Sequence, residues 1–281
     1  MKKLFRQALQ ITNNSIILAI PFIVFITILD LYSTYSRYTV DSMPKFILAY
    51  ITVLFMFGVF CAGWFYMVKE AVNLSKKVFV LDSDRAKASF NLIKTIPEGV
   101  GQFFLSFVGV YILFFFIQLG SMFLMYFTGA KVIGVLDTAS IMQIQALTSD
   151  PSNTQMANFV DKLTPEQIIF FGKWSLLFII FTTLIMFLLM LWFPEIIYKT
   201  PNPVVALYRA VKKLFKNFFE TSLIFLKLFF IGFLLLFINT FAVFNSFAYL
   251  LMSVVMFYYC VYAAVLVFLY YDKKYVENDE K

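Results

Sequence analysis

Six long apolar runs recur along this 281-residue chain, joined mostly by segments too short to hold a domain of their own. Spans of about 20 predominantly apolar residues are needed to cross roughly 30 Å of bilayer hydrocarbon. Runs of that length lie near 15–35, 46–68, 100–127, 167–193, 221–241 and 246–271. The last two require a turn between them, because Thr221 to Tyr271 is almost unbroken and a single helix there would run about 76 Å at about 1.5 Å per residue. Asn239-Thr240 to Asn245-Ser246 is the polar place for that turn. The expected fold is all-α, a polytopic integral membrane bundle of six transmembrane helices.

Composition agrees with this and narrows the chemistry. The chain is 62% apolar and only 14% charged, against roughly 25% charged in soluble domains. Cys61 and Cys260 both fall inside apolar spans, where a thiol behaves as a small hydrophobe. Histidine is absent, which removes the commonest metal ligand and the usual general base at neutral pH. No Gly-rich phosphate loop, metal-ligand spacing or serine nucleophile motif occurs, so the sequence calls for no cofactor, no metal and no catalytic residues. Lys2, Lys3 and Arg6 precede an apolar stretch that ends at Asp30-Leu31-Tyr32 without a small-residue cleavage pattern, which reads as a retained first span. Tyr32, Tyr35 and Tyr38 then form an interfacial aromatic belt.

Charge supplies an orientation. The N-terminus carries three Lys or Arg, 69–94 six, 199–216 five and the C-terminal tail three, all on one side of the expected topology. The opposite side holds Arg37, Lys45, Lys131, Lys162 and Lys173, and its long loop is acidic at Asp137, Asp150, Asp161 and Glu166. The positive-inside rule then places both termini in the cytoplasm. A net charge of +7 raises nucleic acid as a partner, but the basic residues cluster where spans meet the cytoplasm rather than in a separate basic domain. Anionic lipid headgroups fit them better, at about 1 kcal/mol per basic residue. Arg6, Lys87, Arg209, Lys212, Lys213 and Lys216 are the candidate lipid contacts.

The segments leading into the odd-numbered spans read as short amphipathic helices in the cytoplasmic interface, each ending in a break. Leu4, Phe5, Ala8, Leu9 and Thr12 precede Asn13-Asn14-Ser15, and Ala86, Ala88, Phe90, Leu92 and Ile93 precede Thr95-Ile96-Pro97. In the clearest case, Val204, Leu207, Val211, Leu214, Phe215 and Phe218 form one stripe, with the basic residues away from it. Asn202-Pro203 supplies that helix with its cap and first turn. The chain thus reads as one membrane domain in which an interfacial helix and two spans are used three times, over 1–75, 76–198 and 199–281. Arg6-Gln7-Ala8, Lys87-Ala88 and Arg209-Ala210 open these units alike.

The pattern Pro203-Val-Val-Ala206-Leu-Tyr-Arg209-Ala-Val-Lys212, running into Asn217-Phe218, and Leu4-Phe5-Arg6-Gln7-Ala8 resemble a broad bacterial group of six-span proteins. That group includes the membrane domain fused to some glycerophosphodiester phosphodiesterases. The chain has no phosphodiesterase catalytic domain, so the resemblance implies a membrane module and not that activity.

Several polar positions invite a function. Glu98, Gln102, Ser106 and Gly109 share one face of the third span, a candidate solute pathway. The structural alternative is a capping box at Thr95-x-x-Glu98 with the carboxylate at the positive end of the helix. Lys227 is the one basic residue well inside a span; it is placed to snorkel, and a pairing role would use Glu98, Glu195 or Glu220. Pro194, Pro201 and Pro203 end the fourth span and re-aim the chain around Glu195. Gly58-x-x-x-Ala62 and the seven-residue spacing of Ser246, Ser253 and Cys260 suit close helix packing.

The outer loop 128–166 is expected to hold short helices near Asp137–Leu147 and Asn153–Leu163, with Ile141, Ile144, Met156, Phe159 and Val160 capping the bundle or meeting a partner. Thr164-Pro165-Glu166-Gln167 then starts the fourth span as a capping box. The function expected from all this is a non-enzymatic membrane component that organises lipid or supports a membrane-protein partner. The alternative is a transporter or channel for a small solute or ion.

Overall fold

The computed structural model describes residues 2–135, 164–242 and 244–277, and every regular element among them is helical. In chain order these are α1 (Lys2–Asn14), α2 (Ala19–Thr39), α3 (Met43–Leu74), α4 (Asp82–Phe90), α5 (Ile96–Val132), α6 (Pro165–Leu189), α7 (Trp192–Tyr198), α8 (Pro203–Lys216), α9 (Phe218–Ala242) and α10 (Ser246–Tyr271). Among the described residues six helices or helical runs are long and apolar enough to cross a membrane, as the hydropathy predicts. They reach further than the apolar runs alone indicate: α5 has 37 residues, about 56 Å, so its ends extend beyond the hydrocarbon. The helices expected at Asp137–Leu147 and Asn153–Leu163, with Ile141, Ile144, Met156, Phe159 and Val160, lie outside the described residues.

Local chemistry accounts for most of the boundaries. Asn245 caps α10 by accepting from the amides of Phe247 and Ala248 at 3.0 and 3.1 Å, which fixes the turn after α9. Asn202 does the same for α8 through Val204 and Val205. At α6 the capping box is reciprocal, with the Gln167 amide donating to the Thr164 hydroxyl and the Thr164 amide to the Gln167 side chain. Pro194 has no amide hydrogen for the carbonyl of residue 190, and the helical run breaks there into α6 and α7.

One expected cap is absent. The Thr95 hydroxyl donates to the Leu92 carbonyl, and Glu98 turns to other partners. The reason is that α4 runs into α5 through a 3₁₀ turn, Asn91–Thr95, so no free helix start exists at Thr95 to be capped. A similar 3₁₀ turn, Ile16–Leu18, follows Ser15 and joins α1 to α2.

By its contacts the chain divides into two compact units, Met1–Leu113 with Leu188–Lys281, and Phe114–Phe187. In the first, α10 is the central helix, packed on α1, α2, α3, α7 and α9. Its buried residues gather in its second half, from Val261 to Tyr271, while Phe247, Leu250 and Val254 are exposed. The same gradient runs along α3, exposed at Phe46 and Ile51 and buried from Ala62 to Val72. The core of this unit therefore lies at one end, and the rest of each span presents apolar surface of the kind hydrocarbon solvates at no cost.

Phe65 is the hub of that core, stacking on Phe107, Phe193 and Phe268 at centroid distances of 5.7, 4.7 and 5.6 Å. The helices can approach this closely because of small residues. A Cβ on Gly99 would lie 2.8 Å from the Ala62 carbonyl oxygen and 2.6 Å from Tyr66 Cβ. Gly58 and Ala62 are thus used within one chain, against α5. In the second unit Trp174 is buried and lies over Gly129, where a Cβ would come within 2.3 Å of the indole. Gly134 follows with φ +122°, a conformation that requires glycine.

Candidate functional site

Most of the charged residues of the first unit collect at the end where its core lies, whereas Arg37, Asp41 and Lys45 lie at the α2–α3 turn. Lys273 donates to Gln7, bringing the last span to α1. Lys76, just after α3, pairs with Asp272 at 2.5 Å and Glu277 at 3.1 Å, and Lys274 pairs with Glu220 at 2.6 Å. Burial alone would lower the Lys76 ammonium pKa, but its hydrogen bonds and charge pairing with these two carboxylates prevail and hold it above the ordinary lysine value. The four basic segments that hydropathy placed on one side thus meet at one end.

Its centre is Glu195. This carboxylate is fully buried, at 0% exposure, on α7. Lys213 of α8 reaches it at 2.7 Å, and the Tyr271 hydroxyl of α10 donates to the same Oε2. Lys213 also contacts the Tyr271 oxygen at 2.5 Å and lies 4.7 and 5.2 Å from the Tyr271 and Tyr275 ring centroids. Tyr275 then donates to the Lys213 carbonyl and accepts from Asn217, and Thr221 and Tyr270 share a hydrogen bond at 3.0 Å. Trp192 donates to the Pro203 carbonyl, fixing the elbow between α7 and α8. The arrangement is a closed ion pair that ties three elements together; Glu195 Oε1 has no hydrogen-bond partner among the described residues.

Glu98 and Gln102 are exposed, Ser106 is buried, and Gly109 lies against the Pro203 ring. Glu98 Oε1 accepts from Tyr66 at 2.7 Å and from Gln102 at 3.2 Å, which joins α5 to α3. The ammonium of Lys227 lies 4.8 Å from the Phe5 ring centroid, while Glu98, Glu195 and Glu220 are engaged by Tyr66, Lys213 and Lys274. Arg6, Lys87, Arg209, Lys212 and Lys216 are exposed. Lys213 is the exception, turned inward with its side chain 22% exposed.

Of the apolar stripe expected on α8 only Leu214 is buried, and Ala206 and Ala210, outside that stripe, complete the packed face. Ala206, Ala210 and Leu214 form the buried face against the protein, whereas Val204 and Phe215 are exposed next to the Arg209, Lys212 and Lys216 sector. Tyr271, Asp272 and Tyr275 carry no signal in the sequence beyond their place at a span end. Glu195 does carry one: it is a lone carboxylate between Leu-Trp-Phe-Pro and Ile-Ile-Tyr, shortly before a basic helix.

No family model, no curated protein and no solved structure matches this chain.

Proposed function

We propose that the protein is a multi-pass component of the cytoplasmic membrane, with both termini cytoplasmic, that organises anionic lipid or supports a partner protein and catalyses no reaction. The observation that carries this is the division of α8. One face is used up by packing, and the remaining surface pairs exposed apolar side chains with exposed Arg209, Lys212 and Lys216, the pattern of a helix lying among headgroups. The likeness of 203–218 to the bacterial six-span group belongs to the same proposal.

Native mass spectrometry of gently purified protein is the test. Anionic lipid or a defined polypeptide retained above a matched membrane-protein control, and reduced in Arg209→Glu/Lys212→Glu/Lys216→Glu, is the expected result. A second reading rests on the exposed Glu98–Gln102 pair on α5: solute-specific flux in proteoliposomes, lost on Glu98→Ala, would replace the lipid-organising role with transport.

A further inference from the structure

Beside α1, at the charged end, two cavities share a wall. The first, about 470 Å³, is polar and lies between α1, the end of α3 and α4; Gln7, Gln10, Asn14, Lys77, Arg85 and Ser89 contribute to it. No acidic residue is among those that line it, so its two charges are both positive. Among the described residues Arg85 pairs with Asp82 at 3.7 Å, almost fully exposed, and a pair of that kind contributes little. The Oε1 of Gln7 is taken by Lys273, which leaves its amide hydrogens as donors. Ser89 is 6% exposed, and its hydroxyl has no partner among the described residues.

The second cavity, about 580 Å³, is apolar. It follows the first turns of α2 between Ile16, Ile20, Ile23, Phe90 and Phe257. Asn14 and Ser89 line both cavities. A cationic, donor-rich chamber that shares its wall with an aliphatic and aromatic groove has the two-part chemistry of one amphiphile: an anionic oxygen-rich head and a hydrocarbon tail. A small anion would leave the groove unused, and a zwitterionic phosphatidylcholine, though it brings the same phosphate, would also bring a trimethylammonium into a chamber lined by two positive charges and no acidic residue.

We propose that this is a discrete site for one anionic phospholipid, its phosphate held by Lys77, Arg85 and Ser89 and one acyl chain lying along Ile16, Ile20 and Phe90. The inference rests on the lipid-organising reading above and adds to it a defined stoichiometry and a location away from α8.

Purified protein is titrated with dioleoylphosphatidylglycerol, dioleoylphosphatidylcholine or glycerol 3-phosphate, and bound states are counted by native mass spectrometry. The expected result is one phosphatidylglycerol bound at least about tenfold more tightly than phosphatidylcholine, with that preference lost in Lys77→Ala/Arg85→Ala and kept in Lys77→Arg/Arg85→Lys. Both positions are at the surface, and an unchanged melting temperature establishes that the variants fold. Ile20→Trp, which fills the groove, is expected to weaken the lipid while leaving the polar chamber intact. Glycerol 3-phosphate competing as well as the intact lipid identifies a free phosphoester site and overturns the proposal. Retained phosphatidylglycerol that responds to the α8 substitutions but not to Lys77→Ala/Arg85→Ala overturns it and leaves the broader reading standing. A protein that retains no anionic lipid overturns it together with the lipid-organising reading, and leaves only the support of a partner protein.

Discussion

Replacing Lys213 with Met removes the ammonium from a carboxylate that has no solvent to turn to. Glu195 is fully buried, and with Lys213 gone the Tyr271 hydroxyl is the one donor left to Oε2 among the described residues. Breaking a buried pair from one side costs about 3 to 5 kcal/mol, and the remaining hydroxyl argues for the lower figure, about 3 kcal/mol. For a chain of this size, at roughly 2 °C per kcal/mol, the melting temperature in detergent falls by about 6 °C. Removing the buried charge as well reverses part of the loss, since a Gln at 195 is neutral and still accepts from Tyr271. Glu195→Gln/Lys213→Met is therefore expected to recover at least half of it, a coupling outside the range of additive sites. The assay is thermal unfolding followed by tryptophan fluorescence, with size-exclusion recovery of folded protein as a second readout. A Lys213→Met protein within about 2 °C of wild type, or a double variant no more stable than the single, refutes the reasoning.

Gly99→Ala drives a methyl into the Ala62 carbonyl and Tyr66, and is expected to cost about 1 to 3 kcal/mol, whereas Gly101→Ala, with open space around it, is neutral or gains up to about 1 kcal/mol; melting temperatures of the two compared side by side decide this. Lys76→Met should lower stability equally at pH 6 and pH 9. Because the folded-state pKa of Lys76 is raised, its contribution is complete below the usual 10.5 and is lost only as pH rises through the higher folded value, so a difference that vanishes by pH 8 contradicts the pairing with Asp272 and Glu277. With Cys61 and Cys260 changed to Ala, an impermeant thiol reagent on intact cells is expected to label a cysteine placed at Ser149 and not one at Ser75; the reverse pattern overturns the orientation.

The spans were readable because hydrocarbon imposes one requirement on every residue in them, and the caps at Asn202 and Thr164 because their partners are two or three residues away. Thr95 misleads for the same reason: the local signal is present, but α4 runs on through it and leaves no helix start. The Glu195 centre was beyond such reading. Its partners are 18 and 76 residues distant, and helical periodicity says which residues share a face but not which helix that face meets. Lys212 and Lys213 illustrate the limit. They are adjacent in a basic run and about 100° apart around the helix, so one is exposed while the other enters the protein.

The long sequence separations at the charged end bear on how the chain is made. Glu195 and Lys213 are synthesised well before Tyr271, Lys76 long before Asp272, and Gln7 before nearly everything else, yet each is completed by a group in 271–273. During insertion the first five spans must therefore wait with a buried-type carboxylate and an unpaired lysine still accessible to water or to other proteins. Assembly closes late, when the last helix arrives. A ribosome that stops before residue 271 leaves a product that spans the membrane but cannot seal its inner charges, the sort of intermediate on which insertion factors and membrane proteases act.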